Sequence, residues 1–384
     1  MIPDKKQNLV DGILRACELL HSFRTDTETL RLTELVRRTG LKKTTAFRAA
    51  QSLVEGGMLE RSADGRFRCL LRPAPRRRYR LGYAAQTPDS AFAHDVTEGI
   101  RRAAEQASVE LVEVDNHYSP KIALRSAETL IRARVDLAIE FQTFESVAPI
   151  ISEKLAEAGI PLIAIDIPHP GATYYGADNY NAGRIGGRAA GRWAKQHWGG
   201  QVDEVLLLTL TAVGPLPNSR VSGFCVGLQE AGVNLADQQI VSLDSKGGFG
   251  ACLEVVRKHL RTSRAHRILV AGFNDPGSLG ALRAFEEAGR VDHCAVMSQN
   301  ACVLARSELR RTATRLIGSV AYFPEKYGNG IITLALDILA KRPRSSAVFV
   351  KHILITPANV DHYYPNDSIL VAGDPEAILL RYGH

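Results

Sequence analysis

The chain has 384 residues, of which 45% are hydrophobic and 23% charged, values typical of a soluble globular protein with two or three domains. This composition excludes a disordered chain, a collagen-like repeat and a small disulfide-stabilised fold. The net charge of +7 is unevenly distributed: residues 1–80 contain 18 basic and 9 acidic residues, whereas residues 81–384 contain 30 and 32. A basic segment ahead of a nearly neutral body indicates that this segment alone contacts nucleic acid or a membrane surface.

The sequence carries no recognisable targeting or membrane segment. Its first residues are polar and charged, no apolar run of signal-peptide length follows, and no window approaches 18 uninterrupted apolar residues. The six cysteines are scattered, with no C-x-x-C pair and no Cys/His cluster, which argues against a zinc site and fits thiols in a reducing compartment. We therefore expect a cytoplasmic protein without a metal and without membrane contact.

Three short helices followed by a hairpin are predicted first. Apolar residues recur at helical spacing in three segments, residues 8–23, 32–38 and 42–55. Thr33 is the predicted N-cap of the second helix, and Gly40 is its left-handed final residue. The turn Asp64-Gly65 between the predicted strands 58–61 and 66–70 is a strong hairpin signal. A helix, a tight turn, a helix and a hairpin form the winged helix-turn-helix pattern.

The outer face of the third helix carries side chains of the kinds that reach phosphates and base edges in a DNA major groove. These candidate DNA contacts are Lys42, Lys43, Thr44, Thr45 and Arg48. Arg66 and Arg68 lie on the predicted hairpin and would line the wing. The alternative is a charged surface on a winged helix that does not bind DNA, and the agreement of charge, spacing and hairpin argues against it.

Four runs in this segment carry a family resemblance: LTELV at residues 32–36, TGLKKTTAFR at 39–48, LVEGG at 53–57 and DGRF at 64–67. Together they resemble the winged helix of IclR-type bacterial regulators, which has a T-x-x-E/L-A-x-x-T-G-L-x-K-S/T-T pattern and a D-G-x-Y/F wing. The resemblance covers residues 8–70. It implies that double-stranded operator DNA is the partner of this segment.

A Pro- and Arg-rich segment, RPAPRRRYR at residues 72–80, follows the predicted winged helix. It has no apolar periodicity, which is typical of an extended, semi-rigid linker. Its arginines either touch the DNA backbone or belong to a solvated spacer. The predicted organisation is therefore a DNA-binding domain at residues 1–71, a linker at 72–80 and a second domain at 81–384.

From residue 81 onward, short apolar strands alternate with amphipathic helices in two successive series. The predicted strands lie at residues 81–84, 110–115, 136–140, 160–166, 205–210, 240–243, 267–271 and 291–297. This repeat predicts an α/β fold with two lobes, each built on a parallel doubly wound sheet. No G-x-G-x-x-G follows the first strand and no phosphate-binding loop is present, so no nucleotide cofactor is expected. Ligands of such sheets lie beyond the strand C-termini, here in the cleft between the lobes.

Five motifs carry a second family resemblance. They are IAID at residues 163–166, GADNYNAG at 176–183, NSRVSGF at 218–224, FND at 273–275 with LGAL at 279–282, and GSVAY at 318–322. In this order they resemble the periplasmic-binding-protein-like effector domain of the lac-repressor family and of ribose-type sugar-binding proteins, over residues 79–358. The resemblance implies an N-lobe of residues 81–178 and 323–345 and a C-lobe of residues 179–322 and 346–384. Asp178 and Asn179 would form the hinge.

The resemblance also implies which residues hold a ligand, in a site where hydrogen-bonding groups and aromatic faces suit a sugar or polyol. The candidates are Phe92, Asp166, Arg220, Asn274, Asn300 and Tyr322. Asn300 stands where the family often has Asp, and Ile167 stands where ribose binders tend to have Arg. Both departures argue against ribose itself.

Four of these candidates have a structural alternative. Asp166 is either a ligand contact or a turn residue, and Arg220 is either a ligand contact or paired at the surface. Phe92 is either a stacking residue or part of the core. The pair Asn274 and Asp275 alternatively caps the following helix.

The sequence as a whole predicts a ligand-responsive transcription factor that acts as a homodimer. An alternative is a sugar-binding protein of a transport system, which would need an export signal and no winged helix. A less favoured alternative is an enzyme on the same fold. No G-x-S-x-G turn is present and the histidines show no catalytic or metal-ligand spacing, so we expect no enzyme activity and no cofactor.

Overall fold

The computed structural model describes residues 10–23, 28–70, 79–87 and 89–367, and the chain divides into two compact units, Met1–Arg78 and Tyr79–His384. Most of the predicted linker, residues 72–78, lies outside the described residues. The prediction that the linker extends to Arg80 is wrong. Arg80 begins the first strand of the second unit, and its guanidinium donates to the Ala133 carbonyl.

The first unit is a winged helix-turn-helix. Its helices are α1 (Asp11–His21), α2 (Leu32–Thr39) and α3 (Lys43–Glu55), and its strands are β1 (Thr29–Leu30), β2 (Leu59–Arg61) and β3 (Phe67–Cys69). The three strands pair antiparallel in the order β1-β3-β2. Apolar side chains of all three helices and of the sheet form one core, which fixes the outer face of α3 toward solvent.

Helix α2 ends at the residue that the sequence predicts but does not begin at the predicted N-cap. Thr33 is not the N-cap: Arg31 holds that place, and its backbone N–H donates to the Glu34 carboxylate at 2.8 Å. Gly40 ends α2 with a φ of 69°, in the left-handed region that glycine adopts without strain.

The second unit alternates strands and helices as predicted. Its strands are β4 (Arg80–Ala85), β5 (Glu110–Asp115), β6 (Leu137–Glu140), β7 (Leu162–Ile165), β8 (Thr173–Gly176), β9 (Glu204–Thr209), β10 (Ile240–Asp244), β11 (Ile268–Ala271), β12 (Cys294–Asn300), β13 (Leu316–Ala321), β14 (Ala347–Phe349) and β15 (Ile353–Ile355). Its helices are α4 (Ala91–Gln106), α5 (Pro120–Arg132), α6 (Ala148–Glu157), α7 (Asn179–Trp198), α8 (Pro215–Glu230), α9 (Phe249–Leu260), α10 (Asp275–Glu287), α11 (Val303–Leu309), α12 (Tyr327–Leu339) and α13 (Val360–Tyr363).

These strands form two six-stranded sheets, one in each lobe. The N-lobe sheet has the order β14-β8-β7-β6-β4-β5, with every pair parallel. The C-lobe sheet has the order β10-β9-β11-β12-β13-β15, in which β15 is antiparallel to β13. The chain therefore crosses between the lobes after β8, after β13 and after β14. We call these three crossing segments the hinge.

The predicted lobe boundary near residue 346 is wrong. Strand β14 pairs in parallel with β8, with Ala347 opposite Tyr174, so it belongs to the N-lobe and not to the C-lobe. The chain enters the C-lobe only at residues 350–352, where the third crossing begins. A three-residue strand at a sheet edge has too little sequence signal to reveal this pairing.

Helices α7 and α8 of the C-lobe pack backbone against backbone. A Cβ atom at Gly183 would overlap the backbone of Arg220, and one at Gly187 would overlap the backbone of Phe224. The glycines of this segment therefore serve helix packing and not phosphate binding. This close contact fixes α8 and the base of the Arg220 side chain.

Candidate functional sites

The predicted ligand residues of the second unit lie where strands end and helices begin. Asp166 directly follows β7, Tyr322 directly follows β13, and Asn300 is the last residue of β12. Arg220 lies in the second turn of α8 and Phe92 in the first turn of α4. Because the carboxyl ends of parallel strands share one edge of a sheet, these side chains border the cleft between the lobes.

Arg220 is buried, which rules out the surface ion pair considered from the sequence. Its Nε donates to Asn179 Oδ1 at 3.1 Å and its Nη1 donates to the Phe273 carbonyl at 2.6 Å, while Nη2 also donates to Asn179. The guanidinium lies 4.2 Å from the centre of the Phe273 ring and 5.5 Å from that of Tyr322. An arginine has five N–H groups, so two remain for a ligand.

Asp166 faces the same region from the N-lobe. Its Oδ1 accepts the Ala177 backbone N–H at 3.1 Å, and its φ of 59° places the backbone in the left-handed region. Burial raises the pKa of Asp166 to about 6, against the opposing effects of the Ala177 hydrogen bond and the Arg220 charge. Asp166 thus holds the turn with one oxygen, and within the described structure its other oxygen has no hydrogen-bond partner.

Phe92 is both part of the core and a wall of the cleft. Its ring meets Phe141, Tyr322 and Tyr327 edge to face, with centroid distances of 6.3, 6.4 and 5.8 Å. The Tyr322 hydroxyl donates to Gln299 Oε1 at 2.8 Å, and burial raises the pKa of Tyr322 to about 12. These edge-to-face contacts make the cluster a largely apolar, aromatic wall.

The C-lobe amides have different roles. Asn274 caps α10: its Oδ1 accepts the Gly277 N–H at 3.0 Å and its Nδ2 donates to the Gly247 carbonyl at 2.8 Å, which leaves one N–H for a ligand. Asp275 is fully buried and accepts from the hydroxyls of Ser298 and Ser319, a structural role. Asn300 has a φ of 100°, a strained conformation of the kind found at binding sites.

Sequence reasoning missed several residues of this site. Asn179, expected only at the hinge, positions Arg220, and Gln299 fixes the Tyr322 hydroxyl. Ile167 of the N-lobe joins an apolar cluster with C-lobe residues, the side chains of Leu210, Val213 and Phe273. The position where ribose binders tend to have Arg therefore makes an apolar contact between the lobes.

In the first unit, the predicted DNA contacts lie on α3 and its N-terminal end and on the wing, and they differ in their pairing. Among the described residues, Lys42, Lys43 and Arg48 are exposed and form no ion pair, and Thr44 and Thr45 lie between them. The wing arginines are paired, Arg66 with Asp64 at 3.1 Å and Arg68 with Glu60 at 2.6 Å. Exposed pairs of this kind are weak, and a phosphate can displace the carboxylate.

An exposed aromatic side chain adds to this surface. Phe47 on α3 is 40% exposed, and the Arg61 guanidinium lies 5.9 Å from its ring centre. An aromatic ring on the outer face of such a helix is suited to contact a thymine methyl group. The one sign of this contact in the sequence is an apolar residue at a position where the helix is otherwise polar.

The described part of the chain holds no group of three or more His, Cys, Asp or Glu side chains arranged for a metal ion. Its six cysteines are free thiols. No helix among the described residues has the length and apolar character needed to cross a bilayer.

Each of the two units matches a known family of protein domains. A family model described as a periplasmic binding protein domain matches residues 81–343, and the IclR helix-turn-helix domain matches residues 12–63. The chain belongs to the periplasmic binding protein domain family. Both matched families are binding domains and not catalytic ones. No curated protein sequence shows significant similarity.

Several solved structures share the fold of the second unit. A solute-binding protein of an ABC transporter from Actinobacillus succinogenes with bound D-allose is 19% identical over 74% of this chain and 100% of its own, with a TM-score of 0.63. A Mycobacterium smegmatis protein in complex with β-D-fucofuranose is 21% identical over 77% and 96%, with a TM-score of 0.64. A Bacillus halodurans solute-binding protein with bound myo-inositol is 17% identical over 75% and 98%, with a TM-score of 0.64.

Proposed function

We propose that this protein is a transcription regulator that binds operator DNA through its winged helix and whose DNA affinity is controlled by a sugar or polyol bound between the lobes. The observation that carries the proposal is the presence, in one chain, of a recognition helix with unpaired cations and a cleft in which Asp166 and Arg220 interact electrostatically among aromatic rings. A transport protein would need the cleft but not the winged helix.

The cleft chemistry favours a neutral polyhydroxylated ring. Arg220 supplies two N–H donors and Asp166 one free carboxylate oxygen, one positive and one negative group from opposite lobes. Phe92 and Tyr322 supply a surface for the C–H face of a ring. Proteins of similar fold hold D-allose, β-D-fucofuranose and myo-inositol, which are ligands of this class.

Control of DNA binding follows from contacts in both lobes. A ligand that touches Asp166 and Arg220 together binds the closed arrangement more tightly than an open one and so shifts the equilibrium toward closure. In a homodimer, closure changes the spacing of the two winged helices, and half-sites must lie one helical turn apart. A shift of a few ångströms is then enough to change operator affinity.

A thermal-shift panel of neutral sugars and polyols tests the effector assignment. We expect at least one member to raise the melting temperature by several degrees, and Asp166→Asn and Arg220→Lys to abolish that shift. The matched controls Asp237→Asn and Arg261→Lys, at exposed positions, keep it. A full shift in the cleft variants, or a response only to charged ligands, contradicts the proposal.

A further inference from the structure

A cavity of about 500 Å³ lies at the hinge of the second unit. Its walls come from both lobes, with Tyr175 from the N-lobe and Tyr363 from the C-lobe, and from the crossing segment at residues 322–327. Of the six predicted ligand residues, Tyr322 alone lines it. The volume is in the range of small-molecule sites, and neither Asp166 nor Arg220 lines the cavity.

The walls of this hinge cavity are largely aromatic. Six of the lining residues are Tyr175, Tyr322, Phe323, Tyr327, Tyr363 and Tyr364. The rings of Phe323 and Tyr364 lie nearly parallel, 17° apart, with their centres separated by 6.1 Å. Phe323 has a φ of 57°, a conformation that costs energy in a residue with a bulky side chain. Such walls fit a flat ring.

The charged groups of the cavity favour an anion. Lys326 and Lys351 are exposed at its mouth, and Glu325 is the one acidic side chain in the lining. Within the described residues neither lysine forms an ion pair, and the Lys326 ammonium lies 4.6 Å from the centre of the Phe323 ring. Two ammonium groups against one carboxylate leave the mouth positive.

A buried polar atom points to a second recognition element. The Tyr327 side chain is 1% exposed, and its hydroxyl has no hydrogen-bond partner among the described residues. Leaving a buried hydroxyl unpaired costs free energy, which a polar substituent of a ligand would recover. Because Tyr327 lines the cavity, we infer that a polar substituent of a molecule bound there is the partner of this buried hydroxyl.

We propose that the hinge cavity is a second ligand site, specific for a small aromatic carboxylate with a polar ring substituent. The ring packs against the aromatic walls, the carboxylate pairs with Lys326 and Lys351, and the substituent meets the Tyr327 hydroxyl. Tyr322 is a wall of this cavity and of the sugar cleft, so the two ligands share one side chain. The site does not depend on the sugar or DNA assignment.

Calorimetric titration of the full chain with 4-hydroxybenzoate tests this site. We expect saturable binding, at least tenfold weaker for the uncharged methyl ester and at least tenfold weaker in the double variant Lys326→Gln/Lys351→Gln. The matched double variant Lys121→Gln/Lys246→Gln removes the same charge at exposed positions outside the lining and keeps the affinity.

A second variant separates recognition from folding. Tyr327→Phe removes only the unpaired hydroxyl, so we expect unchanged or higher thermal stability together with at least threefold weaker binding of the acid. The proposal fails if no saturable binding is seen, or if both lysine pairs reduce binding equally. It also fails if Asp166→Asn abolishes binding while Lys326→Gln/Lys351→Gln does not, because the acid then occupies the sugar cleft.

Discussion

Lys43 and Arg48 differ from the wing arginines in having no carboxylate partner among the described residues. A paired arginine must give up its partner to reach a phosphate, whereas an unpaired cation on an exposed helix face does not. We therefore expect α3 to contribute more of the proposed DNA affinity than the wing. The sequence alone predicts contacts on both surfaces and takes α3 as the recognition helix.

We predict that Lys43→Glu/Arg48→Glu lowers DNA affinity by at least a factor of about 100, since each reversal replaces a phosphate attraction with a repulsion. Fluorescence anisotropy with a labelled duplex measures this affinity. A sugar-induced thermal shift equal to that of the wild type shows that the variant is folded. Arg68→Gln should cost less than tenfold. Full DNA affinity in the double reversal would show that α3 is not the recognition helix.

Glu140 is an unusual buried group in the N-lobe. It ends β6 with no exposure, and Asn116 donates to its Oε1 at 2.7 Å, while Oε2 has no partner in the described structure. Burial raises the pKa of Glu140 to about 8, and the Asn116 hydrogen bond opposes that shift. The folded protein therefore keeps this proton to a higher pH than the unfolded chain does.

A carboxyl whose pKa is raised on folding stabilises the protein fully below its unfolded pKa, and that contribution is lost as the pH rises toward about 8. Glu140→Gln keeps the size and removes the titration. We predict that the variant melts roughly 5 °C above the wild type at pH 8 and that the gain shrinks steadily toward pH 4.5, measured by thermal denaturation. A gain that is equal at every pH would rule out this role for the carboxyl.

At the scale of elements, the contact between α7 and α8 links stability to the site. A methyl group at Gly183 would overlap the backbone of Arg220, so Gly183→Ala must push the two helices apart. We predict a loss of about 1–3 kcal/mol in unfolding free energy and weaker sugar binding. Gly250→Ala, in α9 with open space around it, should cause neither loss. Chemical denaturation measures the unfolding free energy, and titration measures the sugar affinity. Unchanged sugar affinity in Gly183→Ala would contradict a link between this helix contact and the site.

The long strands and helices could be predicted from the sequence, but the short strands could not. The alternating strands and helices between β4 and β12 were predictable because long apolar strands and amphipathic helices have distinct periods. The short strands β1, β8, β14 and β15 were not, because pairing with a distant strand decides their conformation. Asp166 and Arg220 stand in motifs, which is why the sequence predicts them as candidates for the cleft. The partners of Arg220 lie 41 and 53 residues away along the chain, and only the fold brings them together.

At the scale of the whole molecule, charge and chemistry are divided between two units that each have their own core. The excess positive charge lies in residues 1–80, which include the winged helix. The second unit has a nearly balanced charge and a cleft with one acid and one guanidinium. DNA affinity should therefore be salt-dependent, while binding of a neutral sugar should not.

We propose that a sugar bound by the second unit controls the binding of DNA by the first unit. The direct measurement is anisotropy of labelled DNA from upstream of the protein's own gene, titrated with the full chain with and without the sugar that gives the largest thermal shift. We predict a preference over unrelated DNA and a change of at least about fivefold in Kd on adding the sugar, the scale of allosteric coupling. An identical Kd in both titrations, or no preference over unrelated DNA, would contradict the account.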